Sequence, residues 1–305
     1  MKKRLFISTG FYSTLLAATI AESSCFPFYE NHLLITLDRQ SAEHNRLWAY
    51  RLNANWATVD TTDHTDYYVG DIKFKYNIVE FDEVISPFPS MHGAVAQAFP
   101  AKKYKYYEEG LTSYKQCLDR HYNDDDIFYS LHPHIFNDNE NLLSVPINAQ
   151  CVLKMLEIAS QCYITPTLSG KNNVILIGTG GFPEEEKNAA MQDEFLSVIA
   201  DLSSKGYKII LLDHTRVPVD ENTFNIIKSN PRFNVIKISI TSPLSDLFLL
   251  HNKDNIKFIV GIYSTLLLNS KLLFDIPSYS LNCDFLGERQ LSLANIQNSV
   301  IPPYK

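Results

Sequence analysis

Long apolar runs are missing from this chain. Nothing approaches the roughly 18–20 consecutive apolar residues that a membrane-crossing helix needs, so no spanning helix is expected. Cysteines are few: Cys25, Cys117, Cys151, Cys162 and Cys283 are scattered, odd in number and never in C-x-x-C spacing. That pattern is neither a disulfide framework nor a zinc site, and it fits a reducing compartment. Basic charge is in deficit, with 27 Lys and Arg against 34 Asp and Glu and a net charge of -7. Nucleic-acid binders are usually basic, so no nucleic-acid partner is expected. Low-complexity segments are absent, and the glycine-rich run at 178–181 lacks the G-x-G-x-x-G and G-x-x-x-x-G-K patterns.

What is there suffices for large cores. The chain has 305 residues, 45% of them hydrophobic, a length that suggests about two domains. Its 17 Tyr and 18 Phe suit cores and also clefts for sugar rings. Met1-Lys2-Lys3-Arg4 followed by apolar residues mimics a signal peptide, but Ser8, Thr9, Gly10, Tyr12, Ser13 and Thr14 interrupt the run. A first strand and first helix are expected instead. Lys2, Lys3 and Arg4 are candidates for contact with an anionic membrane face.

Two stretches nearly repeat: Gly10-Phe11-Tyr12-Ser13-Thr14-Leu15-Leu16 and Gly261-Ile262-Tyr263-Ser264-Thr265-Leu266-Leu267. Each follows a short apolar run and opens an apolar, helix-like stretch. A strand, a glycine turn and a hydroxyl-bearing helix start make an anion site, because the first N–H groups of a helix lack partners and carry partial positive charge. The plain alternative is a hydroxyl N-cap after a strand.

The second half alternates strands (174–177, 207–212, 234–238, 256–260, 278–281) with helices (184–203, 220–229, 242–250 and the second repeat), which implies a parallel, Rossmann-like sheet. The first half is less regular. Strands are expected at 5–9, 33–37, 56–59, 83–85 and 103–107, and helices at 13–23, 42–52 and 90–97. The linker candidate is 163–173, which sets domains at 1–165 and 166–285. A tail at 286–305, with a helix-like piece around 291–298, is expected to pack back on the first domain. The fold class is α/β of the GT-B type, two Rossmann-like domains facing an interdomain cleft, with ligands outside the carboxyl ends of the strands.

Several groups could carry chemistry. Glu108-Glu109-Gly110 ends a strand; neighbouring carboxylates raise each other's pKa, which suits a general base, although a solvated acidic turn reads the same way. Asp213-His214-Thr215-Arg216 also ends a strand, where a protonated His214 with Arg216 beside it can face a phosphate. Gly178-Thr179-Gly180-Gly181 lets backbone approach a ligand. Asn123-Asp124-Asp125-Asp126 reads as a solvated loop rather than a cation site, and His132-Pro133-His134 as a loop rather than a metal or catalytic pair.

The order of these features resembles the bacterial sialyltransferases of glycosyltransferase families 52 and 38, the latter being polysialyltransferases. Those families share a strand-end acidic pair with glycine, here Glu108-Glu109-Gly110 followed by Leu111-Thr112-Ser113-Tyr114, which looks especially like the polysialyltransferase group. Family 52 has Pro-His-Pro-Arg where this chain has Asp213-His214-Thr215-Arg216, so Thr215 departs from the pattern and His132-Pro133 remains a rival. The C-terminal hydroxyl pair matches Ser264-Thr265, and the strand with its glycine exit, 174–181, matches the start of the donor domain. The resemblance implies an inverting, metal-independent transferase using CMP-sialic acid and no cofactor. In it Glu108 or Glu109 is the base, with Glu184 and Glu185 as alternatives. His214 meets the leaving phosphate, Ser264 and Thr265 hold it, and Gly178, Thr179, Gly180, Arg216 and Ser242 complete the donor site. The implied acceptor is a galactose- or sialic-acid-terminated glycan of lipooligosaccharide or capsule, and the implied location is cytoplasmic, peripheral at the inner membrane face. Transfer of another CMP-activated nonulosonic acid or Kdo, a non-catalytic binding protein of the same fold, and a nucleotide-sugar epimerase remain open.

Overall fold

The computed structural model describes residues 1–23, 29–37, 42–53, 55–63, 80–87, 89–119, 126–137, 142–178, 184–212, 219, 221–240 and 244–304. The chain divides into two compact units, Met1–Tyr163 and Ile164–Lys305.

The first unit is built on a seven-stranded parallel sheet ordered β3-β2-β1-β4-β5-β6-β7. Its strands are β1 (Lys2–Ser8), β2 (Tyr29–Leu37), β3 (Trp56–Asp63), β4 (Phe81–Ser86), β5 (Ala101–Tyr107), β6 (Ile127–Ser130) and β7 (Leu143–Pro146). Between them lie helices α1 (Phe11–Ser23), α2 (Ala42–Leu52), α3 (His92–Ala98), α4 (Leu111–Leu118) and α5 (Ala149–Ser160). The start of the chain is thus a central strand: Leu5, Phe6 and Ile7 are fully buried, as expected of a strand covered on both faces. Helix α1 is apolar all round and buried along most of its length, packing against α2 and α5.

Arg4 is no membrane contact. It is buried within the sheet, donating from Nε to Asn31 Oδ1 at 2.9 Å with its guanidinium 3.9 Å from the Tyr29 ring centroid. The sequence pattern missed β6, β7, α4 and α5. β6 and β7 are only four residues each. β7 ends the sheet, where an exposed Leu143 and the proline Pro146 are tolerated.

The second unit holds a five-stranded parallel sheet ordered β10-β9-β8-β11-β12. Its strands are β8 (Asn173–Ile177), β9 (Lys208–Leu212), β10 (Val235–Ile238), β11 (Ile256–Gly261) and β12 (Ser278–Ser280). The helices are α6 (Glu185–Ser204), α7 (Glu221–Ser229), α8 (Leu244–Asn252), α9 (Thr265–Phe274) and α10 (Glu288–Asn298). In α6 the acidic first turn suits the helix dipole, and Met191, Phe195, Val198, Ile199 and Leu202 form the face that packs on β8 and β9.

The tail expected to cross to the first unit belongs to the second. Gln297 of α10 is fully buried, with its amide bonded to Ile262 and Ser264, and Pro303 bridges to Ser280 of β12. Periodicity reveals a helix here but not what it covers. Among the described residues no helix is long and apolar enough to cross a membrane.

Candidate functional site

In both units the strand order reverses once, between β1 and β4 in the first and between β8 and β11 in the second. Ligands of open α/β sheets bind at such reversals, outside the carboxyl ends of the strands. Both hydroxyl repeats lie there, yet at inequivalent places. The first follows the opening strand of its unit, and the second follows the fourth strand of its own.

Their local structure differs too. Gly10 takes a φ of 142°, which favours glycine, and α1 begins at once. Ser13 and Thr14 are buried inside that helix; Ser13 Oγ accepts from Thr9 N at 2.6 Å and Thr14 Oγ1 lies 2.9 Å from Ser8 Oγ. Gly261 instead has a close neighbour, since a Cβ there would sit 3.2 Å from Ile177 Cβ. Helix α9 starts three positions later in the motif, with Ser264 as N-cap accepting from Leu266 N at 3.2 Å. Tyr263, Ser264 and Thr265 are therefore half-exposed. The N–H of Ser264 donates to Gln297 Oε1 at 2.8 Å, and Gln297 Nε2 donates to Ile262 O at 3.0 Å, which clamps the turn.

The acidic pair splits into two environments. Glu108 is fully buried. Its carboxylate accepts from Tyr114 Oη, from Leu131 N at 2.8 Å and from Tyr12 Oη at 3.3 Å. Ser130 Oγ donates onward to Tyr114 Oη at 2.9 Å and accepts from His132 N at 2.9 Å. Burial pushes the Glu108 carboxyl up from its ordinary value, against the donors on Tyr114, Leu131, Tyr12 and Ser130 that favour the charge. Tyr114 is pushed well up as well, by burial and then by the Glu108 charge. Glu109 is only half-buried. It accepts from Thr9 Oγ1, and its N–H donates to Ser113 Oγ at 3.1 Å. One carboxylate thus braces the exits of β5 and β6, and the other stands at the reversal beside the end of β1.

The structure brings Glu109 together with Thr9 of the first repeat, and it brings Gly178 to the same end of the second sheet as Ser264 and Thr265, since Ile177 pairs with Gly261. Thr179, Gly180, His214, Arg216 and Ser242, with the rest of the Asp213–Arg216 run and Asn123 to Asp125, lie outside the described residues. The alternative bases Glu184 and Glu185 are exposed at the start of α6, and Lys187, 3.0 Å from Glu184, holds the Glu184 carboxyl below its usual value. His132 is buried at the exit of β6, its ring 6.4 Å from that of Tyr114, so it belongs to the Glu108 network in the first unit. No group of three or more metal-ligating side chains is found among the described residues.

Sequence reasoning missed Thr9, Tyr12, Tyr114, Ser130 and Gln297. The first repeat holds Tyr12 and directly follows Thr9, and Tyr114 closes the stretch after the acidic pair, so a signal existed for those three. Nothing in the sequence singles out Ser130 or Gln297.

The chain matches no protein-family model and no curated protein. Its fold is similar to several solved structures. The UDP-GlcNAc 2-epimerase from Neisseria meningitidis bound to UDP-GlcNAc has a TM-score of 0.58 and 12% identity, over 96% of this chain and 85% of that one. The UDP-GlcNAc 2-epimerase from Methanocaldococcus jannaschii has a TM-score of 0.56 and 13% identity, over 99% and 93%. The GT-B domain of a sialyltransferase from Photobacterium damselae has a TM-score of 0.50 and 12% identity, over the full length of both chains. At these identities the likeness concerns the fold, which is GT-B-type α/β with two Rossmann-like units.

Proposed function

We propose that the chain is an inverting, metal-independent sialyltransferase that moves sialic acid from CMP-sialic acid to a hydroxyl of a glycan acceptor. The observation that carries this reading is the division of labour in the acidic pair. A half-exposed Glu109 stands at the strand-order reversal of the first sheet, held by Thr9 and backed by a buried Glu108.

In this reading Glu109 takes the proton of the acceptor hydroxyl. The freed oxygen attacks the anomeric carbon of sialic acid, and the bond to the CMP phosphate breaks with its electron pair staying on CMP. Glu108 is a positioning residue that fixes Leu131, Tyr114 and Tyr12 around the site. Ser264 and Thr265 at the start of α9 hold the phosphate, with Gly178 leaving room for close backbone approach. Ser264 Oγ accepts from Leu266 N, so its own proton is available to a phosphate oxygen. Preorganised donors of this kind are commonly the largest catalytic contribution, and loss of one costs about 3 kcal/mol. Thr179, Gly180, Arg216 and Ser242 are assigned to the donor site, and His214 to protonation or stabilisation of the leaving phosphate. The acceptor is a galactose- or sialic-acid-terminated glycan met at the cytoplasmic membrane face.

The likeness to two UDP-GlcNAc 2-epimerases favours a second reading, an epimerase of a UDP-sugar. A paired assay separates the two: purified protein is offered CMP-sialic acid with lactose and sialyllactose, or UDP-GlcNAc alone, and products are resolved by mass spectrometry and NMR. Sialylated oligosaccharide supports the transferase. Conversion of UDP-GlcNAc to its C2 epimer, without sialyl transfer, would replace it.

A further inference from the structure

A second candidate binding site lies in the second unit, beside β9, β11 and β12. It is a cavity of about 460 Å³ lined by Lys205, Tyr207, Lys257, Phe258, Tyr279 and Tyr304. That volume falls within the roughly 300–1,000 Å³ usual for small-molecule sites. Tyr207 immediately precedes β9, Phe258 pairs with Val174 near the beginning of β8, Tyr279 pairs with Val260 and Pro303 bridges to Ser280, so the cavity runs along the sheet from the start of β9 to β12. Phe258 stands three residues before Gly261, a rise of roughly 10 Å along the strand.

The four rings are partly exposed; three neighbouring pairs meet edge to face, while Phe258 and Tyr304 are tilted at 31° with centroids 6.1 Å apart. Tyr207 and Phe258 have centroids 5.4 Å apart at 82°, Phe258 and Tyr279 5.5 Å at 88°, and Tyr279 and Tyr304 6.3 Å at 69°. Rings set this way make a faceted apolar wall, not a flat slot between two parallel rings. A puckered ring with C–H faces fits such a wall better than a planar base does. Charge stands at the rim. Lys205 Nζ lies 5.4 Å from the Tyr304 ring centroid and is held by Asp201 Oδ2 at 2.8 Å, so its charge is largely answered. Lys257 is exposed and makes no ion pair among the described residues. One unanswered cation beside a wall of aromatic rings, in a chain of net charge -7, is a selective feature for an anionic partner.

We infer that this cavity binds a carboxylate-bearing sugar residue of a glycan, with the sugar's C–H face on Tyr279 and Tyr304 and its carboxylate on Lys257. The site stands independently of the proposed transfer reaction; only the choice of a sialylated probe rests on it.

The test is ligand-observed NMR and calorimetry on the full chain with CMP present in excess, using 3′-sialyllactose, a glucuronic-acid disaccharide, lactose and inorganic phosphate as probes. At least one acidic sugar is expected to bind, lactose and phosphate much more weakly. Lys257→Glu should weaken acidic-sugar binding about fivefold or more, since it turns an attraction at the rim into a repulsion. Tyr304→Leu should weaken it as well while keeping apolar volume, and both variants should keep the parent's CMP affinity. Absence of binding by both acidic sugars, equal binding of lactose, equal binding of phosphate, or unchanged binding in Lys257→Glu would each overturn the inference. Absence of sialyl transfer from CMP-sialic acid with retained acidic-sugar binding would instead count against the transferase reading alone.

Discussion

Removing the Glu108 side chain should destabilise the first unit. Glu108→Ala strips the acceptor from Tyr114 Oη and Leu131 N, both buried, and from the half-buried Tyr12. Each buried donor left without a partner costs about 1–3 kcal/mol, so the two buried ones together cost roughly 2–6 kcal/mol, against a typical total stability of about 5–15 kcal/mol. For a unit of this size, Met1–Tyr163, that loss lowers Tm by roughly 5–20 °C. Glu108→Gln keeps one carbonyl acceptor and turns an N–H₂ toward hydroxyls that can accept, so its loss should be well under half as large. Glu109→Gln should leave Tm nearly unchanged and cut turnover roughly 10²–10⁴-fold, the usual contribution of a general base. Thermal melts followed by circular dichroism, with CMP release measured below the transition, read both effects. A Glu108→Ala melt within about 2 °C of the parent would refute the unpaired-donor calculation.

Four other outcomes are expected of the molecule. Ser264→Ala with Thr265→Ala should weaken CMP binding measured by calorimetry, and Ser264→Ala alone should cost about 0.5–2 kcal/mol of stability as a lost N-cap; normal CMP affinity in the double variant would contradict the phosphate assignment. Gln297→Ala should weaken CMP binding without touching the nucleotide, because it frees the turn at Ser264; Gln297→Met, which keeps the volume but neither hydrogen bond, should weaken it comparably, and normal CMP affinity in Gln297→Met would contradict clamping. Gly261→Ala should destabilise by about 1–3 kcal/mol through overpacking on Ile177, read in a denaturant titration. Asp246, buried in the first turn of α8, has its carboxyl pushed up from 3.8 to about 6 by burial. A raised acid is stabilising below its unfolded pKa and loses that contribution as pH rises through the folded value. Asp246→Asn should therefore gain up to about 3 kcal/mol at pH 7–8 and little at pH 4, and an equal gain at both would contradict the shift.

The second unit was legible because its strands are short apolar runs separated by helices with clear periodicity, such as Met191, Phe195, Val198 and Leu202 in α6. The first unit was half legible. β6 and β7 are too short to show a period, and α5 is recognisable mainly by its Asn148 cap, which accepts from Gln150 and Cys151. The two repeats were visible as strings, but their different roles were not. Whether a hydroxyl is buried at Ser13 or half-exposed at Ser264 depends on where the helix starts after the glycine: at Phe11, directly after Gly10 with its positive φ, and only at Thr265 after Gly261. The acidic pair was visible as well. That Glu108 would be sealed beneath Tyr12, Tyr114 and Leu131 while Glu109 stayed half-exposed needed the pairing of β5 with β6. The tail was misplaced because the contacts of Gln297 lie more than 30 residues away in sequence, at Ile262 and Ser264.

The most direct measurement is CMP release from CMP-sialic acid in EDTA, with and without a mixture of lactose and sialylated oligosaccharides, for the parent and Glu109→Gln. Acceptor-stimulated release in the parent, lost in Glu109→Gln, is the expected result. No release and no CMP binding, or full release in Glu109→Gln, would contradict a sialyltransferase that draws its base from this residue.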